Sequence, residues 1–220
     1  MIRAPIQADA PEAEAYRALR TTLSFSRLPE KRRTVLFTSA RRGEGKSMTA
    51  INFAAVCAYG ERPTLLVDAD LRRPQIQRVL GVAGAGGGLS TFLQHGRNGG
   101  LAALAESSGL PFLDVVTAGP VVSNPAELLS RPSFGDLIDE ARGAYDWVIV
   151  DAPPVLPIAD AVIVSRVVDG VILLVDLRAT PLSAARKARD LLRAVGAPVL
   201  GVVANNAIKT STYGYGGYSR

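Results

Sequence analysis

The chain has 220 residues, of which 48% are hydrophobic and 20% are charged. This length and composition suffice for one domain with a substantial core and exclude global disorder. The single cysteine excludes an intramolecular disulfide, and neither a cleavable leader nor a membrane-spanning apolar run is recognisable, so we expect a cytoplasmic chain. The net charge of +5 is compatible with an acidic partner such as nucleic acid, a phosphorylated ligand or lipid, and equally with scattered surface charge.

The predicted elements begin with a helix at about residues 10–26, opened by Asp9 and Pro11, that looks like an appendage to the domain. After it, short apolar runs alternate with helical stretches such as 46–59 and 181–195. The apolar runs are continuous, which is typical of strands covered on both faces. The sequence therefore predicts an α/β fold with a mostly parallel central sheet flanked by helices on both faces. The predicted strands are 34–38, 64–68, 112–117, 147–151, 171–176 and 199–205.

Two glycine-rich segments interrupt this pattern. Residues 81–88 contain five glycines, which fit a mobile loop and a packed turn equally well. Residues 207–220 lack apolar periodicity and are rich in Ser, Gly and Tyr, which predicts a flexible tail behind a domain at 1–206. Half of the six tyrosines lie in the last eight residues of that tail. These are Tyr213, Tyr215 and Tyr218.

A phosphate-binding loop follows the first predicted strand and opens directly into a helix. Glycines let the backbone turn tightly and aim successive N–H groups at phosphate oxygens, and the helix N-terminus adds a favourable dipole. Lys46 is expected to neutralise the β- and γ-phosphates of ATP, and the Ser47 hydroxyl to bind Mg²⁺. The sequence thus predicts a P-loop NTPase-type nucleotide site. The loop residues are Ala40, Arg41, Arg42, Gly43, Glu44, Gly45, Lys46 and Ser47, and Met48 follows them.

Carboxylates end two neighbouring strands of the predicted sheet. Asp151 follows a buried strand and precedes two prolines, and we expect it to bind Mg²⁺ through water. Asp68 and Asp70 follow the strand at 64–68, and their spacing places both side chains on one side, towards the γ-phosphate. Ligands of open α/β sheets bind where such carboxyl ends meet. Each aspartate alone could instead be a structural cap.

These motifs resemble those of the bacterial tyrosine kinases, or BY-kinases, of capsule and exopolysaccharide assembly. Four features carry the resemblance over nearly the whole chain. They are TSARRGEGKS at 38–47, like the family's Walker A motif; LLVDADLR at 65–72, like its additional acidic motif; VIVDAPP at 148–154, like its Walker B motif; and the tyrosine cluster. Arg42 and Met48 depart from the common pattern without removing a phosphate or metal ligand.

The resemblance extends to three further places. Glu14, Arg17 and Arg20 match the ExxRxxR helix through which family members form rings, although an internal ion pair between Glu14 and Arg17 is the alternative. Residues 119–129 resemble a segment usual in the family. Asn205 falls where relatives contact adenine, and a role in a turn fits it about equally well.

The resemblance implies an ATP- and Mg²⁺-dependent autokinase that phosphorylates its tail tyrosines in trans. Catalysis would rest on Lys46, Asp68, Asp70 and Asp151. In this scheme Asp68 is the base near the tyrosine hydroxyl and a metal ligand beside Ser47 and Asp151, and Asp70 supports the metal or the substrate. Arg41 occupies a position from which related dimeric ATPases reach the partner's nucleotide.

The resemblance also implies partners and a location. We expect a homo-oligomeric ring, with an octamer as one candidate size, a cognate tyrosine phosphatase and no specific nucleic acid. A membrane-spanning activator, or polysaccharide co-polymerase, would hold the chain at the inner face of the plasma membrane, unless the chain is an excised kinase domain. The alternatives are an ATPase switch like those of plasmid partition and division-site placement, and a non-catalytic nucleotide-dependent scaffold.

Overall fold

A computed structural model describes residues 5–26, 28–29, 33–96 and 99–207. The strands within these residues are β1 (Arg33–Ser39), β2 (Thr64–Asp68), β3 (Glu106–Ser107), β4 (Leu113–Val116), β5 (Trp147–Asp151), β6 (Gly170–Asp176) and β7 (Val199–Asn205). These seven strands form one sheet in the order β3-β4-β2-β5-β1-β6-β7, in which β3 runs antiparallel to β4 and the remaining neighbours are parallel. The helices are α1 (Ala13–Ser24), α2 (Lys46–Tyr59), α3 (Ile76–Leu80), α4 (Gly88–His95), α5 (Pro125–Leu129), α6 (Pro132–Ala144), α7 (Asp160–Val164) and α8 (Leu182–Ala194).

The predicted α/β fold is confirmed, because the central strands are buried on both faces. Every residue of β2, β5 and β6 is buried, and a separate apolar core covers each face of the sheet. Phe53 of α2 packs edge-on against Trp147 at 5.4 Å between ring centroids and lies 5.3 Å from Phe37. These contacts fix α2 on the strands that carry the site.

The glycine-rich segment at 81–88 is a packed turn. The backbone N–H groups of Gly84 and Ala85 donate to the carboxylate of Glu106, at 2.9 and 3.0 Å. A Cβ atom on Gly88 would lie 2.3 Å from the backbone nitrogen of Gly119, so only glycine permits the two backbones to approach this closely. The turn therefore anchors α4 to the carboxyl end of β4.

Helix α1 lies against α2, and its charged residues bind within the chain. Arg17 pairs with Glu14 at 2.7 Å and donates to the carbonyl of Ala8, and Arg20 donates to the carbonyl of Val56 at 2.8 Å. This geometry accounts for all three residues of the ExxRxxR pattern, and their part in a ring stays a prediction. Among the described residues there is no helix with the length and apolarity to span a bilayer.

Candidate nucleotide-binding and catalytic site

The loop between β1 and α2 has the shape that the sequence predicts. Gly43 and Gly45 adopt positive φ angles of 82° and 87°, which the glycines permit without strain. Between them Glu44 turns inward and is buried. Its carboxylate accepts the backbone N–H of Arg41 at 2.8 Å and the hydroxyl hydrogen of Thr180, from the connection between β6 and α8. The side chain of Glu44 thus closes the loop on itself and ties it to the sheet.

Asn205 braces the same loop from the end of β7. Its side-chain amide nitrogen donates to the carbonyl of Glu44 at 2.9 Å, and its side-chain oxygen accepts the backbone N–H of Asn206. A Cβ atom on Gly45 would lie 2.1 Å from that amide nitrogen, so the brace requires glycine at this position. Asn205 therefore holds the phosphate loop directly, and its contact with adenine stays a prediction.

Lys46 joins the loop to two of the predicted aspartates. Its Nζ lies 2.8 Å from Asp70, 3.5 Å from both carboxylate oxygens of Asp151 and 3.1 Å from the Ser47 hydroxyl. Burial alone would lower the pKa of Lys46, but the neighbouring carboxylates of Asp151 and Asp70 outweigh it and raise the pKa. The ammonium group is therefore charged at neutral pH and already positioned beside the loop.

Asp151 and Asp68 are fully buried at the carboxyl ends of β5 and β2, which pair directly. Burial raises the pKa of Asp151, although Lys46 and Ser47 favour its charged form. Burial, followed by the charge of Asp151, raises the pKa of Asp68 to about 7. A carboxyl group with this pKa can exchange a proton near neutral pH, which suits a general base.

Asp68 and Asp70 face different surroundings. Asp68 accepts three backbone N–H groups at 3.1 Å, from Asp70, Gln75 and Ile76, and so fixes the turn into α3. Asp70 instead lines a cleft of about 330 Å³ beside Lys46. The structure thus brings both aspartates to the site, but it places only Asp70 on the cleft wall. Other residues on that wall are Arg42, Gly43, Gly45, Ser47, Met48, Arg72 and Pro153.

An ion pair that the sequence did not predict flanks this cleft. The guanidinium of Arg72 binds the carboxylate of Asp160 in a bidentate fashion, at 2.7 and 3.0 Å, and Asp160 is fully buried. The hydrogen bonding of Arg72 to the Asp160 carboxylate, which accepts, is the largest cause of the raised pKa of Arg72. Arg72 belongs to the acidic motif, but its partner lies 88 residues further along the chain. No local spacing could have revealed the pair.

The remaining predicted residues lie at or beyond the edge of the site. Ala40, the first residue of the loop, is buried, and the side chains of Arg41 and Arg42 are exposed. Tyr213, Tyr215 and Tyr218 lie outside the described residues.

The donors at this site fit the predicted ligands. The Ser47 hydroxyl and the carboxylates of Asp151 and Asp70 are hard oxygen donors, which Mg²⁺ prefers in combination with phosphate oxygens and water. The loop, the start of α2 and Lys46 form the type of anion site that binds nucleotide phosphates.

Comparison with known proteins identifies the family to which these features belong. Residues 30–213 match the ParA family, described as NUBPL iron-transfer P-loop NTPase. The chain is 39% identical to the tyrosine-protein kinase YwqD of Bacillus subtilis (strain 168), over 93% of this chain and 86% of YwqD. It is 35% identical to a putative tyrosine-protein kinase, EpsB of Ralstonia solanacearum, over 96% of this chain but 28% of that longer protein. The solved kinase domain of the Escherichia coli tyrosine kinase ETK superposes with a TM-score of 0.84 at 33% identity, covering 94% of this chain and 80% of that domain.

Proposed function

The chain belongs to the bacterial tyrosine kinases of the ParA-type P-loop NTPases, and from that premise we propose that it phosphorylates its own carboxyl-terminal tyrosines in trans. It is an ATP-dependent protein-tyrosine kinase related to those of capsule and exopolysaccharide synthesis. The observation that carries the proposal is Lys46, held beside Ser47, Asp70 and Asp151 at the opening of the phosphate loop. This chemistry requires a substrate tyrosine, and residues 207–220 contain three.

ATP is proposed to bind with its phosphates on the N–H groups of the loop. Lys46 would then share its charge between the phosphates and the two carboxylates that hold it, so it needs little rearrangement. Ser47 and Asp151 would hold Mg²⁺, with Asp68 as a further candidate, and the ion would supply neutralisation of the phosphate charge.

The transfer itself is a displacement at the γ-phosphorus. The tyrosine oxygen forms a bond to phosphorus, the bond to the bridging oxygen breaks, and ADP leaves. The hydroxyl proton passes to a carboxylate, for which we propose Asp68, which lies at the end of β2 next to Asp151 and has a pKa raised to about 7. Because Asp68 is buried behind the cleft wall, this role requires the tyrosine oxygen to reach past Asp70 when the substrate binds. Asp70 lies on the cleft wall and would position the substrate or the metal.

The wider assignments form part of the same proposal. The domain at 1–206 would form a ring through Glu14, Arg17 and Arg20, and a membrane-spanning activator would hold it at the inner face of the plasma membrane. Arg41 would reach the nucleotide of a neighbouring copy, and a cognate phosphatase would remove the phosphates from the tail tyrosines.

Labelled ATP tests the proposed function directly. The full chain is incubated with Mg²⁺ and γ-labelled ATP, with and without a cytoplasmic segment of a membrane activator, and the labelled residues are identified by mass spectrometry. We expect label on Tyr213, Tyr215 or Tyr218 and none when all three are changed to Phe. ATP hydrolysis without labelled tyrosine under both conditions would contradict the proposal and favour the ATPase switch, and binding without hydrolysis would favour the scaffold.

A further inference from the structure

A second cleft lies at the opposite edge of the sheet from the phosphate loop. It has a volume of about 550 Å³ and lies between the end of α1 and the first residues of β1 and β5. We refer to it as the amino-edge cleft. The residues that define it are Arg20, Arg33, Arg62, Phe25, Asp146 and Trp147.

The described residues that line the amino-edge cleft carry more positive than negative charge. They include three guanidinium groups and one carboxylate, Asp146, whose contact with Arg62 is long at 3.6 Å. Among the described residues, neither Arg20 nor Arg33 has a carboxylate within ion-pair distance. Arg20 uses one N–H group on the carbonyl of Val56 and keeps further donors. The cleft therefore has spare donors for an oxyanion.

Arg33 is held in place without being neutralised. Its guanidinium carbon lies over the Trp147 ring, 5.0 Å from the ring centre, at the distance of a cation–π contact. Its Nε is buried and has no hydrogen-bond partner in the part of the chain that the structure describes. A buried donor without an acceptor is costly, and an oxyanion bound at this guanidinium would relieve that cost.

The walls of the cleft are aromatic as well as cationic. Trp147 forms part of the base, and Phe25 projects at the rim with 87% of its surface exposed. An inorganic anion would use the arginines alone. A phosphorylated aromatic ring would use both, because its phosphate suits planar guanidinium groups and its ring suits Phe25.

We propose that the amino-edge cleft binds phosphotyrosine from the tail of another copy of this chain. The enzyme makes phosphotyrosine, and each phosphate carries a charge of about −1.5 to −2 at neutral pH, which matches the excess of arginines. The proposal rests on the proposed function only in taking residues 207–220 as the source. Because Arg20 also belongs to the predicted ring helix, tail binding here would compete with ring contacts.

A peptide titration tests the cleft without requiring the kinase reaction. The unphosphorylated full chain, free of nucleotide, is titrated with synthetic peptides of residues 207–220. One peptide carries phosphotyrosine at 213, 215 and 218, one is unmodified, and one carries Glu at these positions. Trp147, the single tryptophan, reports binding by fluorescence, and calorimetry gives the affinity. We expect the phosphopeptide to bind at least tenfold more tightly than the others, as charge-assisted bidentate contacts allow.

Matched variants locate the binding. Arg62→Gln and Arg33→Gln should each lower the affinity for the phosphopeptide about tenfold. The side chain of Arg62 is 64% exposed. Arg186→Gln is the control, because Arg186 is an exposed residue of α8 that does not line the cleft. This variant should bind the phosphopeptide with wild-type affinity, and thermal melting checks that each variant is folded. Unchanged affinity in both cleft variants would overturn the proposal. Equal affinity for the Glu peptide or inorganic phosphate, or complete displacement by a non-hydrolysable ATP analogue, would also overturn it. Tail labelling in the ATP assay is scored separately.

Discussion

The two edges of the sheet hold their cationic side chains with different types of partner. At the carboxyl edge Lys46 and Arg72 are held by the buried or nearly buried carboxylates of Asp70, Asp151 and Asp160. At the amino edge Arg20 and Arg33 are held by a carbonyl and by an aromatic ring, which position a guanidinium without neutralising it. The carboxyl edge thus holds its cations in ion pairs beside the phosphate loop, whereas the described residues of the amino edge leave the charge of Arg20 and Arg33 available. Each prediction below alters one of these arrangements.

Replacement of Lys46 should have the largest effect. Lys46→Met removes the cation that the loop directs at the phosphates, and we expect tyrosine labelling to fall by about a thousandfold or more. Lys187→Met, on the exposed face of α8, is the matched control and should retain activity. The measurement is the initial rate of label transfer, with thermal melting as the folding check. A Lys46→Met chain that labels its tail within tenfold of the wild-type rate would contradict the assigned role.

The ion pair of Arg72 tests whether the cleft wall depends on a distant buried carboxylate. Asp160→Asn should free the guanidinium and lower the rate of labelling by about tenfold. It should also lower the free energy of unfolding by about 1 to 3 kcal/mol, less than for a fully buried pair because Arg72 is one-third exposed. Asp136→Asn, at an exposed site on α6, is the control. Denaturant unfolding and kinetics measure the two effects, and equal behaviour of both variants would show that the pair is dispensable.

Asn205 distinguishes bracing of the loop from recognition of the base. Since the Asn205 amide donates to the carbonyl of Glu44, Asn205→Ala should loosen the loop. We expect it to lower the affinities for ATP and GTP by the same factor, about threefold to tenfold. Equilibrium binding of both nucleotides to wild type and variant measures this. A loss confined to ATP would instead assign the side chain to adenine.

The smallest expected effect is the contribution of Asp68 titration to the pH dependence of stability. The pKa of Asp68 is raised to about 7 in the folded chain from an ordinary 3.8, so its contribution to stability is complete below about pH 4 and is lost as the pH rises through 7. Without nucleotide, the wild-type chain should therefore lose more stability between pH 5 and pH 8 than Asp68→Asn does. Denaturant unfolding at the two pH values checks this, and equal losses would contradict it.

The sequence predicted the parts of this fold that depend on local pattern. All six predicted strands are present within one residue, because continuous apolar runs leave a buried parallel strand as the simplest solution. The short antiparallel β3 and the five-residue helices α3, α5 and α7 were not predicted, because tertiary contacts outweigh weak local preferences over so few residues.

The candidate site likewise contains contacts that the sequence predicted and contacts that it did not predict. Lys46, Ser47, Asp70 and Asp151 come together as predicted, because the ends of parallel strands and the loop meet at one edge. The contacts of Asp160 and Thr180 lie far apart along the chain and required the three-dimensional fold. The hydroxyl of Thr180 in particular donates to Glu44 in the phosphate loop across 136 residues.

Transfer between copies is the central claim, and a mixing experiment tests it most directly. A full-length Lys46→Met chain, which has a tail but no activity, is mixed with a chain truncated after Asn206, which has the site but no tail. With labelled ATP, Mg²⁺ and, where required, the activator segment, we predict label on Tyr213, Tyr215 or Tyr218 of the Lys46→Met chain. The same mixture with all three tyrosines changed to Phe should stay unlabelled. Active truncated protein that leaves the intact tail unlabelled would contradict the account.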